Sequence, residues 1–316
     1  MLQRDGSPRY SRSEEPVSTG SDQQLNDVQT YPSHHAVVGG ISVRRALPQR
    51  TRRTVGPWCF ADHLGPASVT ANDGLDVGPH PHVGLQTVTW LIDGHVLHQD
   101  SLGTEQMIRP GELNLMTAGH GIVHAEETAA SFRGVLEGIQ LWIAQPDRTR
   151  EAAPAFAHYD NLPRVELGST TTTVVLGELL GSTSPARRDS ELIGLDLDLR
   201  ATATLPLRST FEHAVIVLRG SVQVGTTVAE PGSLVYVAPG IDELRLAVRD
   251  PSRAMVIGGR PFEEPLVMWW NFVARRRDEL AAAYQSWTTS DGRFAAVASK
   301  LAPIEAPVPY WLRSER

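Results

Sequence analysis

Apolar and polar residues along this chain come in short alternating runs broken by glycine and proline. The clearest stretch is 83–127. VGLQTVTWLI (83–92) alternates and is rich in β-branched and aromatic residues, which predicts a strand. Asp93-Gly94 is a two-residue hairpin signal, and HVLHQD (95–100) is the return strand. After Ser101-Leu102-Gly103, EQMIR (105–109) is a strand ended by Pro110-Gly111. ELNLMT (112–117) follows, a turn spans 118–121, and IVHAEE (122–127) closes the set. Short, evenly spaced strands punctuated in this way predict an antiparallel sandwich or barrel.

The rhythm returns in ELIGLDLDL (191–199), ATLPL (203–207), HAVIVLRGSVQV (213–224), SLVYVAP (233–239), ELRLAV (243–248) and RAMVIGG (253–259). TWLIDGHVLHQD corresponds loosely to IVLRGSVQV, and RPGELNLMTAGHG to EPGSLVYVAPGID. This weak duplication suggests two copies of one β-fold. The copies are assigned to 37–147 and 191–290, joined by a connector at 148–190 with one further strand (TTTVVLGEL). Residues 1–36, polar and without periodicity, are read as a disordered extension, and 291–316 as a tail. The one helix expected is 272–287, with the arginine run at 275–277 on a solvated face.

Composition narrows the function classes. A net charge of −7 argues against a nucleic-acid binder. No apolar run approaches the roughly 18 residues that cross a bilayer. The N-terminus shows no secretory apolar core, and Cys59 is the only cysteine, which excludes an internal disulfide and a cysteine-based cluster. A reducing, cytoplasmic compartment is expected, with Cys59 a buried small hydrophobe. Two barrels cover each other's sheets, so a monomer suffices.

Candidate chemistry concentrates in one place. Of 11 histidines, His80, His82, His95, His98, His120 and His124 lie between residues 80 and 124. Residues i and i+2 of a strand share a face, so His80 aims with His82, and His124 with Glu126. Two such pairs facing one another surround a point with three imidazoles and a carboxylate. That donor set suits a divalent transition metal rather than calcium or magnesium, and does not separate iron from zinc. His95 and His98 differ by three and face opposite sides, so both cannot serve the metal. His63 is read as a structural residue in an Asp-His turn. Trp90, Met107 and Met116 are read as core or pocket wall. His213 stands alone in the second copy, which is expected to bind no metal.

GPHPHVGLQTVTWLIDGHVLHQDS and RPGELNLMTAGHGIVHAEE resemble the paired histidine motifs of the pirin family of the cupin superfamily. The similarity extends to RRTVGPWCFADHLGP (52–66) and MWWNFVARRRDEL (268–280). The resemblance implies an all-β bicupin of two stacked jelly-roll barrels with a single iron in the first. By position the family's ligands fall on His80, His82, His124 and Glu126, the four chosen from strand periodicity. Manganese, nickel, copper and zinc also match the ligand types.

Two positions depart from the family pattern. Gln86 stands where many pirins carry a glutamate, and is expected to donate a hydrogen bond to bound water or substrate. His120 occupies the glycine turn as a proton carrier at the pocket mouth or as a solvent-facing turn residue.

The implied activity is aerobic ring cleavage of flavonols, a quercetin 2,3-dioxygenase reaction. In it Glu126 is the general base, and apolar walls such as Leu85 and Met116 hold flat rings. The alternatives are a non-enzymatic, redox-sensing regulator acting through protein partners, and a metal-stabilised barrel with an unrelated small-molecule substrate.

Overall fold

A computed structural model describes residues 28–70, 74–128 and 132–313. Almost every element is a strand, as the alternating pattern predicts, and the strands form two barrels. In the first, Leu113–Thr117, Leu85–Asp93, Gly134–Ala144 and Trp58–Val69 lie side by side in a seven-stranded sheet. Facing it is a four-stranded sheet in the order Asp76–His82, Ile122–Thr128, Val96–Asp100, Glu105–Ile108. The second barrel repeats the plan. Ser233–Val237, Glu212–Arg219, Ser252–Gly259 and Leu192–Leu199 are consecutive in its large sheet. Ala203–Pro206, Glu243–Ala247, Val222–Val224 and Thr227–Ala229 form the small one. The duplication read from two short motifs therefore extends strand for strand across both domains.

The two large sheets share one apolar core. Trp58, Val88, Trp90, Leu115, Ile139 and Leu141 of the first barrel pack with Leu176, Ala214, Ile216, Leu234 and Met255 of the second. A fully buried side chain of this size contributes about 1.5–3 kcal/mol, so the barrels form one cooperative body rather than beads on a linker. Trp58 Nε1 also donates to the Gly258 carbonyl (3.0 Å), satisfying the indole in the middle of that core.

Several expectations change. Residues 1–27 of the expected extension lie outside the described residues, but 28–36 is not disordered. Val28–Pro32 pairs with Ser233–Val237 of the second barrel, and His34–Val38 pairs with Ile41–Leu47 of the first. Polar residues are tolerated there because these are edge strands with one face in water. The connector is divided between the barrels: Ala155–Tyr159 joins the first sheet against Leu113–Thr117, while Arg164–Leu167 and Thr170–Leu176 extend the second. His63 lies within the strand Trp58–Val69 rather than in a turn. It is structural nonetheless, its Nε2 3.2 Å from Glu137 Oε1.

The helix begins later than expected, at Arg277–Thr289, because Phe272–Ala274 is a strand and Val273 N–H donates to Val83 O. Arg275 is not on a solvated face. Its side chain is 7% exposed and pairs with Asp147 (2.9 Å) and Glu264. Beyond the helix the tail folds back over the histidine strand, and Ile304 N–H donates to Pro79 O (2.9 Å). A Cβ at Gly78 would stand 2.2 Å from the Ala302 carbonyl oxygen, so only glycine lets the tail lie this close. Among the described residues no helix is long and apolar enough to cross a membrane.

Candidate metal centre

The small sheet of the first barrel carries the chemistry. Its registers place His124 beside His80 on one side and Asp100 on the other, with Ile122 opposite His82 and Glu126 opposite His98. Cross-strand partners share a face. One inner surface therefore holds His80, His82, His98, Asp100, His124 and Glu126, all buried. The pairing slips between His124 and Glu126, so Glu126 faces Val77 rather than Gly78.

Donor atoms of His80, His82 and His124 lie within 4.8 Å of one another. His82 Nε2 and His124 Nε2 are 3.0 Å apart. Two imidazole nitrogens bound at right angles to one ion, each at about 2.1 Å, would stand about 3.0 Å apart. The other ring nitrogens are already occupied. His80 Nδ1 meets the Gly78 carbonyl (2.9 Å), His82 Nδ1 the Asn271 carbonyl (3.0 Å), and His124 Nδ1 lies 3.4 Å from His98 Nδ1. A carbonyl only accepts, so Nδ1 of His80 and of His82 carries the proton and Nε2 presents a lone pair.

Burial reinforces this state. It holds His80 down to about 4 and, with neighbouring imidazoles, holds His82 and His124 well below the ordinary histidine range. The rings stay neutral, as metal ligation requires. Histidine ligands with oriented outer nitrogens fit a divalent transition metal.

Glu126 is set apart. One of its oxygens groups with His98 and His124 within 4.8 Å, but Glu126 does not form one such group with His80 and His82. Thr89 Oγ1 lies 3.2 Å from Glu126 Oε1 and 3.0 Å from Gln140 Oε1. Burial raises the Glu126 carboxyl above its ordinary value, partly opposed by His98 and Thr89.

Sequence reasoning left out the groups behind His124. His98 is 3% exposed, stacks on Phe156, and its Nε2 lies 3.2 Å from Asp100 Oδ2. Asp100 Oδ1 accepts from the N–H groups of Leu102 (2.9 Å) and Thr104 (3.1 Å). Burial pushes the Asp100 carboxyl up, but His98 and those N–H groups outweigh it and hold the group below its ordinary value. A charged carboxylate accepts from His98 Nε2–H, which leaves His98 Nδ1 free to accept from His124 Nδ1–H. The signal was present in the sequence: His98 and Asp100 have the same i, i+2 spacing as the other two pairs.

The histidines open on a cavity of about 540 Å³. Phe60 and Trp142 stack at 4.0 Å on its wall, and Trp142 meets His82 edge-on at 5.1 Å. Arg45 holds Asp62 through two 2.8 Å bonds with its guanidinium 4.6 Å from the Phe60 ring. Ile304 of the returning tail and Asn271 complete the rim.

The four expected pocket residues are elsewhere. Leu85 and Met116 are packed with Cys59, Ile122 and Ala144 in an apolar cluster behind Phe60 and Trp142. Gln86 is buried and donates to Thr117 Oγ1 (2.9 Å), because by strand alternation it shares a face with Val88 and Trp90, which pack in the core between the barrels. His120 is an exposed turn residue, its Nδ1 3.0 Å from the Ala152 carbonyl. His95 is half-buried near Phe132 and away from the site. Cys59 is fully buried, which pushes its thiol up to about 12.

Two stacked jelly-roll barrels, one carrying a buried cluster of three histidines and a glutamate beside a cavity, define a bicupin with a candidate metal site. The pirin domain model matches residues 40–143, and the pirin C-terminal cupin domain model matches 193–295. The chain belongs to the pirin family. A Pseudomonas aeruginosa protein provisionally named as a quercetin 2,3-dioxygenase is 43% identical over 281 residues, covering 88% of this chain and 89% of that one. A pirin-like protein of Caulobacter vibrioides is 34% identical over 258 residues, covering 79% and 89%. The crystal structure of a quercetin 2,3-dioxygenase from Acinetobacter baumannii superposes with a TM-score of 0.89 at 42% identity, covering 92% of this chain and 99% of that one.

Proposed function

We propose that the protein is a metal-dependent dioxygenase of the quercetin 2,3-dioxygenase type, with iron as its metal, held by His80, His82, His124 and Glu126. The observation that carries the reading is the convergence of neutral, outwardly anchored imidazoles beside a cavity with an aromatic wall. The relatives from Pseudomonas and Acinetobacter support the reaction class. When bound, the metal supplies a Lewis acid that makes a flavonol hydroxyl acidic near neutral pH. Trp142 and Phe60 give the flat rings a face to lie on, and about 540 Å³ falls within the usual range for a small-molecule site.

Glu126, the ligand that adjoins His124 and lies farther from His80 and His82, would give one carboxylate oxygen to the metal and take the hydroxyl proton at the other. Thr89 keeps the carboxylate aimed. The reading carries a cytoplasmic monomer with it, supported by the buried free thiol of Cys59 and by the barrels covering each other's large sheets.

The test is oxygen uptake by iron-loaded protein with a panel of flavonols, run beside Glu126→Gln. Uptake with stoichiometric flavonol loss is expected, and the variant should retain metal while losing about 10²–10⁴ in turnover. No uptake with any flavonol refutes the reaction. Unchanged turnover in the variant removes Glu126 as base.

A further inference from the structure

The second barrel keeps a cavity where the first holds its metal site. The first cavity is lined by Phe60 and Asp62 on Trp58–Val69, by Gln140 and Trp142 on Gly134–Ala144, and by the end of Asp76–His82. The second is lined by Ile193 and Leu195 on Leu192–Leu199, by Val256 on Ser252–Gly259, and by Pro206 and Leu207 at the end of Ala203–Pro206. Sheet order makes these the equivalent strands. In place of histidines and a glutamate the walls are now aliphatic, with the Phe211 ring added.

One polar group remains inside. His213 lines this cavity at 2% exposure, and among the described residues its Nδ1 has no hydrogen-bond partner. Its ring lies against Gly258, where a Cβ would stand 2.5 Å from His213 Cδ2. That contact leaves Nδ1 on the edge turned away from Gly258. Burial holds the imidazole down to about 4, so it is neutral at pH 7. The neighbouring Glu212 carboxylate is engaged elsewhere, by Gly56 N–H and by the Tyr236 hydroxyl. A buried imidazole nitrogen without a partner costs free energy that an occupant would recover.

The rim adds two constraints. Arg208 and Glu178 both border the opening, so its formal charges cancel and a charged head group gains little. Leu180, at the tip of the hairpin joining Glu178–Leu179 to Ser182–Thr183, is 64% exposed and held at φ 47°. An apolar side chain at the mouth gives the entrance an apolar edge, which favours an apolar body over a charged one.

We propose that this cavity is a second binding site, taking a neutral, single-ring molecule that carries one hydroxyl. Its volume of about 220 Å³ suits one substituted ring and is less than half that of the first cavity, about 540 Å³. The hydroxyl is the group that matches either tautomer of a neutral imidazole, donating to Nδ1 or accepting from it. The site is independent of the metal and of the reaction proposed for the first barrel.

The probe is 4-ethylphenol, with ethylbenzene and 4-ethylbenzoate as comparators, titrated into full-length protein by calorimetry and ligand-observed NMR. Metal-loaded and metal-stripped protein are both used. One equivalent should bind at millimolar affinity or tighter, equally in both forms, with ethylbenzene weaker by a few-fold to about tenfold for one lost hydrogen bond. His213→Phe, which keeps the ring shape, should abolish the preference for the phenol. Ile193→Phe should block all three.

A shift of the His213 imidazole resonances in the wild-type protein gives the same answer without a variant. No binding, equal binding of ethylbenzene, preferred binding of 4-ethylbenzoate, or binding lost in His80→Ala but kept in Ile193→Phe would each overturn the proposal. None of these results bears on flavonol turnover.

Discussion

His98→Phe tests whether the groups behind His124 set the metal affinity. The substitution keeps a flat ring against Phe156, which stacks on His98 with centroids 4.5 Å apart. It removes the acceptor 3.4 Å from His124 Nδ1 and the donor 3.2 Å from Asp100 Oδ2. His124 then keeps its place on the strand but loses the bond that fixes its tautomer and ring angle. Loss of such an outer partner costs about 10- to 100-fold in metal affinity, or about 1.4–2.8 kcal/mol. Both contacts are long for hydrogen bonds, which places the expectation near the tenfold end.

The fold should survive the change. Asp100 keeps two backbone donors on Oδ1, and losing one bond to a buried group costs about 1–3 kcal/mol. The assay is competition between apo-protein and a chromophoric chelator for nickel or zinc, read beside the melting temperature of the apo form. His98→Gln, whose amide both accepts and donates, should recover part of the affinity. Unchanged affinity in a folded His98→Phe would refute the reasoning. So would two metal equivalents in the wild type falling to one in the variant, since His98, His124 and Glu126 would then be a site of their own.

Two further outcomes follow from the same structure. His213 is held down to about 4 in the folded chain and titrates near 6.5 when unfolded, so between these values only the unfolded state binds its proton. Its contribution is fully present above pH 6.5 and is lost as pH falls toward 4, at about 1.4 kcal/mol per pH unit and about 3 kcal/mol in all. Urea unfolding of metal-stripped His213→Phe should show a shallower decline over that window, and an identical slope would contradict it. Gly78→Val places a side chain where the Ala302 carbonyl lies, so the tail should lift from the histidine strand. Faster proteolytic nicking near residues 295–305 at little change in melting temperature is the expected result, and wild-type resistance the contrary one.

The sequence by itself determined what depends on local period and residue chemistry. Alternation with glycine and proline punctuation gives strands and turns in any context, so the all-β, duplicated plan was legible. The i, i+2 rule puts His80 with His82 and His124 with Glu126 from residue spacing alone. The same rule held for His98 and Asp100. Yet nothing local showed that their strand would pair with Ile122–Thr128 in a register opposing His98 to Glu126.

Registers, sheet faces and returning chain ends are contacts between distant residues, and those only tertiary packing decides. It enclosed Gln86 between strands, left His120 in water, and turned 28–36 from an extension into edge strands. It also brought Asn271 and Ile304 to the metal site from almost two hundred residues away or more, through backbone bonds that carry no side-chain signature. A histidine reads the same in either barrel. Whether it faces other imidazoles, as His82 does, or an apolar chamber, as His213 does, depends on which strands close around it.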